Sequence, residues 1–353
     1  KLVTANGGHN NANTSDDRTY YYEVFPSNNL ELAIWMESDR LLQPVINQIG
    51  VDTQNEVVKE EKRLRVDNQP YGNWITEVKK NLFIKHPYRW APIGSMEHLD
   101  AATLEEFQAF NKKFYIPNNA VLVIAGDIDF KQTKDLVAKY FGNIKKGTPV
   151  DRVHAEEAPI TKPIIAEYQD PNIQLPMYIT AYRTPSNKTR DARVLDMISS
   201  ILSGGKSSRL YKKVVDDKKM AMQLSSFNYA QEDYGMYMFM AIPMPGFTRD
   251  QIQKEIDAEI VDLQTNLISE RDYQKLQNEF ENNYVNSNSN LESLAENLAT
   301  YHLLYGDINL INEEIKIYQS ISREEIKEVA KKYLQPNARL LLDYVPVKEE
   351  AKK

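Results

Sequence analysis

One segment of this chain is written twice. Residues 103–123, TLEEFQAFNKKFYIPNNAVLV, align without a gap on residues 322–342, SREEIKEVAKKYLQPNARLLL. Thr103 meets Ser322, Glu105 and Glu106 meet Glu324 and Glu325, and Lys112 and Lys113 meet Lys331 and Lys332. Phe107/Ile326, Phe114/Tyr333 and Leu122/Leu341 keep their character, and Pro117 and Asn118 recur as Pro336 and Asn337. An internal repeat in register is the mark of a duplicated structural unit. Each copy reads as a capped helix running into a strand. The hydroxyl residue and the glutamate three places on have capping-box spacing, which satisfies exposed amides of the first helical turn. Pro-Asn then stops the helix, and the apolar run beyond it reads as a buried strand.

A length of 353 residues fits two domains at roughly 100 to 200 residues each. In the first half a Gly-Gly turn leads into strands rich in Tyr and Val. The pattern then predicts a helix over 28–42, helical segments around Glu61 and Ile75, a strand over 120–127 and a helix over 130–141. The polar, aperiodic stretch around GTPVDRVHAEEAPITKP marks a linker. The expected layout is a first domain over 1–145, a linker over 146–162 and a second domain over 163–353. In that second domain strands are expected near 163–169, 175–183, 221–229 and 234–243, with helices near 189–203, 206–217 and 248–305. The fold class is α+β: two homologous domains, each a mainly antiparallel sheet packed with helices.

Net charge is −7, which argues against a general nucleic-acid binder, because such proteins concentrate positive charge to displace counterions. With no cysteine, any metal would need histidine and carboxylate ligands. No apolar run reaches the roughly 18 to 20 residues that span a bilayer, so no transmembrane segment is expected.

The stretch NEVVKEEKR sets Glu60 beside Glu61 on a helix. A charged run of this kind is ordinarily a solvated face. Adjacent helical residues point about 100° apart, so the two carboxylates cannot both line one site. The histidines are His9, His86, His98, His154 and His302, and no two have the i, i+4 spacing that presents two imidazoles to one zinc. His9 reads as a surface residue and His86, before Pro87, as a loop cap. There is no G-x-S-x-G elbow, and LSGGKSSRLYKK lacks phosphate-loop spacing and reads as a turn starting a helix.

Five stretches nonetheless resemble one family, in order and spacing: GGHNNANTSDDRTYYYEV, NEVVKEEKRLRVDNQPYG, HPYRWAPIGSMEHL, FYIPNNAVLVIAGDID and LSGGKSSRLYKKV. Together, over nearly the whole chain, they are similar to the pitrilysin/insulysin family of zinc metallopeptidases, in particular its bacterial, processing-peptidase-like branch. The resemblance implies two homologous α+β domains and zinc-dependent hydrolysis of extended peptides. In the family, zinc is held by both histidines of an H-x-x-E-H motif and by a downstream glutamate, while the motif's own glutamate is the general base on zinc-bound water. That downstream ligand matches Glu61, with Glu60 its neighbour and Gln54 where many members carry another acid.

The H-x-x-E-H motif is absent, so no catalytic residue is assigned in this chain. Counted back from Glu61 at the family's spacing, it would fall before Lys1. The resemblance further implies that Asn11, Ala12, Asn13 and Thr14 form the edge strand that pairs with extended substrate. Val215 and Met222 stand where many members carry an Arg and a Tyr in the domain that completes the substrate site. Zinc is expected of the complete protein. Expected partners are a peptide substrate and a second half or partner subunit of the same family. The alternative is a non-catalytic subunit that pairs with an active one. An extracytoplasmic, periplasmic compartment is preferred to the cytoplasm.

Overall fold

In the computed structural model, residues 1–152 and 155–347 are described. The first half runs α1 (Leu2–Ala5), β1 (His9–Thr14), β2 (Thr19–Val24), α2 (Leu30–Leu42), α3 (Gln48–Lys62), α4 (Trp74–Leu82), α5 (Met96–Ala101), α6 (Leu104–Phe114) and α7 (Phe130–Phe141). The second runs β3 (Ile164–Asp170), β4 (Met177–Pro185), α8 (Arg190–Ser203), β5 (Ala221–Ala230), β6 (Tyr234–Pro243), α9 (Arg249–Thr265), α10 (Glu270–Ser287), α11 (Leu291–Thr300), α12 (Leu310–Gln319), α13 (Arg323–Tyr333) and β7 (Arg339–Pro346). The expected α+β class holds.

The repeat is visible in detail. α6 opens on a capping box between Thr103 and Glu106, and α13 on the same box between Ser322 and Glu325, each hydroxyl accepting from the N3 amide. These contacts need only residues three apart, so the local sequence dictates them.

The chain forms two compact units, and they do not follow a single cut in the sequence. The first comprises residues 1–60, 92–153 and 283–313; the second comprises 61–91, 154–282 and 314–353. Residues 61–91 of the first half thus belong to the second unit, and 283–313 of the second half belong to the first. The two exchanged segments are equal in length, and each begins near the C-terminal end of a long helix, α3 in the first half and α10 in the second.

The second unit holds a five-stranded sheet in the order β3-β7-β4-β6-β5, with β3 parallel to β7 and all other pairs antiparallel. Side chains alternate across the sheet, so β6 sends Tyr237 and Phe239 to one face and Met236 and Met238 to the other. On the first face they join Leu195, Ile198 and Leu202 of α8, Ile252, Ile256 and Ile260 of α9, and Ile326 and Ala330 of α13. On the second face Val78 and Leu82 of α4, with Phe83, pack on Ile179, Ala181, Leu340, Leu342 and Tyr344. The exchanged segment therefore supplies one whole cover of this sheet.

The first unit is built differently. Its described strands form only the β1–β2 hairpin, in register from His9↔Val24 to Thr14↔Thr19. Tyr20 and Tyr22 stack on one face at 5.6 Å, and α11 lies beside that hairpin through Arg18, which donates to Thr300 at 3.1 Å and pairs with Glu296. The strand expected over 120–127 does not form, and those residues are irregular. The physical reason is a lack of partners. Its repeat counterpart β7 is held between β3 and β4, and the described first half contains no counterpart of either strand. Apolar burial is correspondingly thin: Trp35, Val57, Phe110 and Leu122 are all exposed.

Candidate functional site

α3 is started by Asn47, whose side-chain oxygen accepts from the Gly50 amide at 2.8 Å. Val51 is its buried anchor, and Asn55 ties it to α5 by donating to the Leu99 carbonyl at 3.2 Å. Glu61 lies one residue before the end of the helix. Its side chain is 39% exposed and pairs with Arg65, one turn on, at 3.1 Å. Arg65 is itself 77% exposed, so this is a surface pair worth about 0 to 1 kcal/mol and is readily given up for another partner. Gln54 lies seven residues back, which is the same helix face. Glu60, on another face, is exposed.

Asn11, Ala12, Asn13 and Thr14 occupy the C-terminal part of β1, every residue of which is exposed. They pair with Tyr22, Tyr21, Tyr20 and Thr19 of β2, and among the described residues no strand pairs with the other edge of β1. A row of backbone donors and acceptors facing away from a hairpin is the chemistry that accepts an added strand.

The histidines do not gather. His9 is exposed, with Glu292 at 3.9 Å, and His98 and His302 are exposed on helical turns. His154 lies outside the described residues. His86 is buried and structural: its Nδ1 accepts from the Tyr88 amide at 3.1 Å, so Nε2 carries the proton and faces Asp233 at 3.1 Å. It caps the turn Pro87–Arg89, as its place before a proline predicts. Among the described residues no three His, Cys, Asp or Glu side chains are arranged to hold a metal ion. One carboxylate without imidazoles does not fit a zinc centre.

Val215 packs against the second unit's core and Met222 is exposed, so neither position offers the charge or hydroxyl that the resemblance associates with it. LSGGKSSRLYKK forms a turn, with Gly205 at φ +89, that leads into a short wide helical turn at Tyr211–Asp217.

Sequence reading missed three polar knots in the second unit. Glu157 accepts from three successive amides, Ile84, Lys85 and His86, at 2.8, 2.7 and 2.8 Å, and these bonds hold its carboxyl below the usual range against the opposing effect of burial. Asp196 is pushed up to about 6 by burial and is bonded by Tyr318 at 2.8 Å and Asn228 at 3.0 Å. Asp170 accepts from Tyr71, Asn172 and Tyr344. Only the last had a local signal, the Asp-Pro-Asn of YQDPNIQ, which marks a turn but says nothing of distant partners.

Fold and site together define a duplicated α+β protein with an open strand edge and a half-exposed carboxylate at a helix end, lacking a complete metal centre among its described residues. The family described as "Peptidase M16 inactive domain" matches residues 101–280, and the chain belongs to the M16 peptidase family. It is 27% identical to "Zinc protease PqqE" of Helicobacter pylori over 343 residues, covering 95% of this chain and 76% of that protein. It resembles the crystal structure of a protease from Helicobacter pylori at a TM-score of 0.91 and 25% identity, over 98% of this chain and 83% of that one. The first half of the periplasmic protease PqqL from Escherichia coli shares the fold, at a TM-score of 0.73 and 17% identity over 95% of this chain and 75% of that one.

Proposed function

We propose that this chain is part of a zinc-dependent endopeptidase acting on extended peptides, in which Glu61 is a metal ligand. On this reading Asn11–Thr14 of β1 pair with the substrate backbone. The single observation that carries it is the state of Glu61, the carboxylate that the sequence resemblance sets against the family's ligand: its side chain is 39% exposed and bound only loosely by a solvent-facing arginine. Names of relatives support the chemistry, since they are called zinc proteases. The edge of β1 with which no described strand pairs supports the mode of substrate binding, in which backbone bonds give affinity and leave sequence preference loose.

The two imidazoles and the general base are not in this sequence and would have to be joined to it, so this chain by itself is expected to be inactive. A second half or partner subunit of the same family would complete the substrate site. In support, the E. coli neighbour is described as one half of a larger protease, and as periplasmic, which also favours that compartment here. No described helix is long and apolar enough to cross a membrane.

A second reading is favoured by the family match itself, which is to an inactive domain: the chain is a non-catalytic subunit that pairs with an active one. One experiment separates the two. The chain is complemented with a polypeptide bearing H-x-x-E-H and with a partner half, and peptide hydrolysis is followed with and without chelator. The first reading expects chelator-sensitive hydrolysis that Glu61→Gln lowers by at least about a thousandfold, the scale on which loss of an essential group acts. Hydrolysis indifferent to Glu61→Gln would leave only the second reading.

A further inference from the structure

The stretch immediately after Glu61 is not an ordinary helix end. Beyond Lys62 the chain widens into one π-type turn, Arg63–Asp67, an irregularity often found beside functional positions. It then reverses within a few residues to enter α4. Tyr71 takes φ +62, a left-handed conformation that a non-glycine residue seldom adopts. Gly72 follows where a Cβ would lie 1.9 Å from the Val66 carbonyl oxygen, so no larger residue fits.

What holds this turn comes from far along the sequence. Asp170, buried at the end of β3, uses Oδ1 for its own turn, accepting from the Asn172 amide at 2.7 Å. Its Oδ2 reaches away, accepting from the Tyr71 amide at 3.1 Å and from the Tyr344 hydroxyl at 2.8 Å. Tyr344 accepts in turn from the Asn73 amide at 3.3 Å, and burial together with Asp170 pushes its hydroxyl up, so it stays a donor. The Tyr71 hydroxyl donates to the Leu175 carbonyl at 2.9 Å, and Asn172 donates to the Asp67 carbonyl at 2.8 Å. Lys62 closes the near side on Asp67 at 2.6 Å. A strand end that needed only its own turn would use one carboxylate oxygen; here the second is committed to Tyr71 and to the tyrosine beneath it.

We infer that Asp170, acting through Tyr71 and Tyr344, is a positioning residue that fixes the turn ending α3 and with it the direction in which Glu61 is presented. This rests on the reading of Glu61 as the functional carboxylate. Asp170 touches neither Glu61 nor any reacting group; it determines where the helix stops and which way its last turn faces.

Asp170→Asn tests this, because it keeps the volume but replaces one acceptor oxygen with a donor, leaving an amide or hydroxyl of the knot unmatched. In the full chain, hydrogen exchange of residues 61–73 is expected to quicken about tenfold or more, the scale of a lost bond to a charged group, with β4 and β6 unchanged. Tyr344→Phe should give a smaller change in the same place, and it carries the test if the first variant does not fold. An unchanged 61–73, or an equal increase throughout the second unit, would overturn the inference, the latter by making Asp170 a general support of the core.

The complemented peptidase gives the functional arm. There Asp170→Asn should lower kcat about tenfold while leaving KM within about twofold, since a misdirected group acts on chemistry rather than on binding. If Glu61→Gln abolishes hydrolysis and Asp170→Asn leaves kcat intact, the positioning role falls alone. If Glu61→Gln is without effect, the ligand reading falls and takes the catalytic sense of the positioning with it, while exchange still decides whether Asp170 holds the turn.

Discussion

Glu23, on β2, has a side chain only 5% exposed, and one guanidinium serves both it and a second carboxyl. Arg40 lies 3.3 Å from Glu23 and 2.9 Å from Glu37. Burial, and then the hydrogen bond shared with Glu37, push Glu23 from its ordinary 4.5 up to about 7. The folded state therefore binds this proton more tightly than the unfolded chain does. Stability contributed by the protonated carboxyl is complete below about 4.5 and is lost as pH rises through 7. Urea midpoints are expected to fall between those limits, and Glu23→Gln, which cannot ionise, should flatten that part of the profile. An unaltered slope in the variant would show that the proton is held elsewhere.

At the scale of elements, α4 is a short helix with a large share in the core. Val78, Leu82 and the following Phe83 are fully buried against the sheet of the second unit. Leu82→Ala is expected to destabilise the protein by about 2 to 5 kcal/mol, as a denaturation midpoint will register. Elements held by near neighbours were legible in the sequence: the capping boxes of α6 and α13 needed only Thr103 with Glu106 and Ser322 with Glu325. The five strands of the second unit were legible too, because apolar alternation is local. Residues 121–123 repeat the apolar run Leu340–Leu342 of β7 and yet 120–127 form no strand, since ladder bonds come from partners and no local pattern supplies them. The candidate site divides in the same way. Glu61 can be singled out from the sequence around it, whereas Asp170 cannot, because its second oxygen reaches residues 99 and 174 positions away.

At the scale of the whole molecule, the exchanged segments make each compact unit a product of both halves of the chain. Excision of residues 153 and 154 from the linker would leave fragments 1–152 and 155–353, and neither holds a whole unit. Made separately, the second fragment would display the sheet face that α4 covers, with Leu340, Leu342 and Tyr344 open to water, and it is expected to aggregate. Made together, the fragments should be recovered as a one-to-one pair whose melting profile matches that of the intact chain. Independent folding of 155–353 alone would contradict this. The exchange also bears on how such a protein can change over generations. A duplicated gene is ordinarily free to let one copy decay, because the other stands by itself. Here a substitution in residues 61–91 is judged by a sheet encoded in the other copy, and neither half can be discarded or reshuffled without its counterpart. Duplication has produced two dependants rather than an original and a spare.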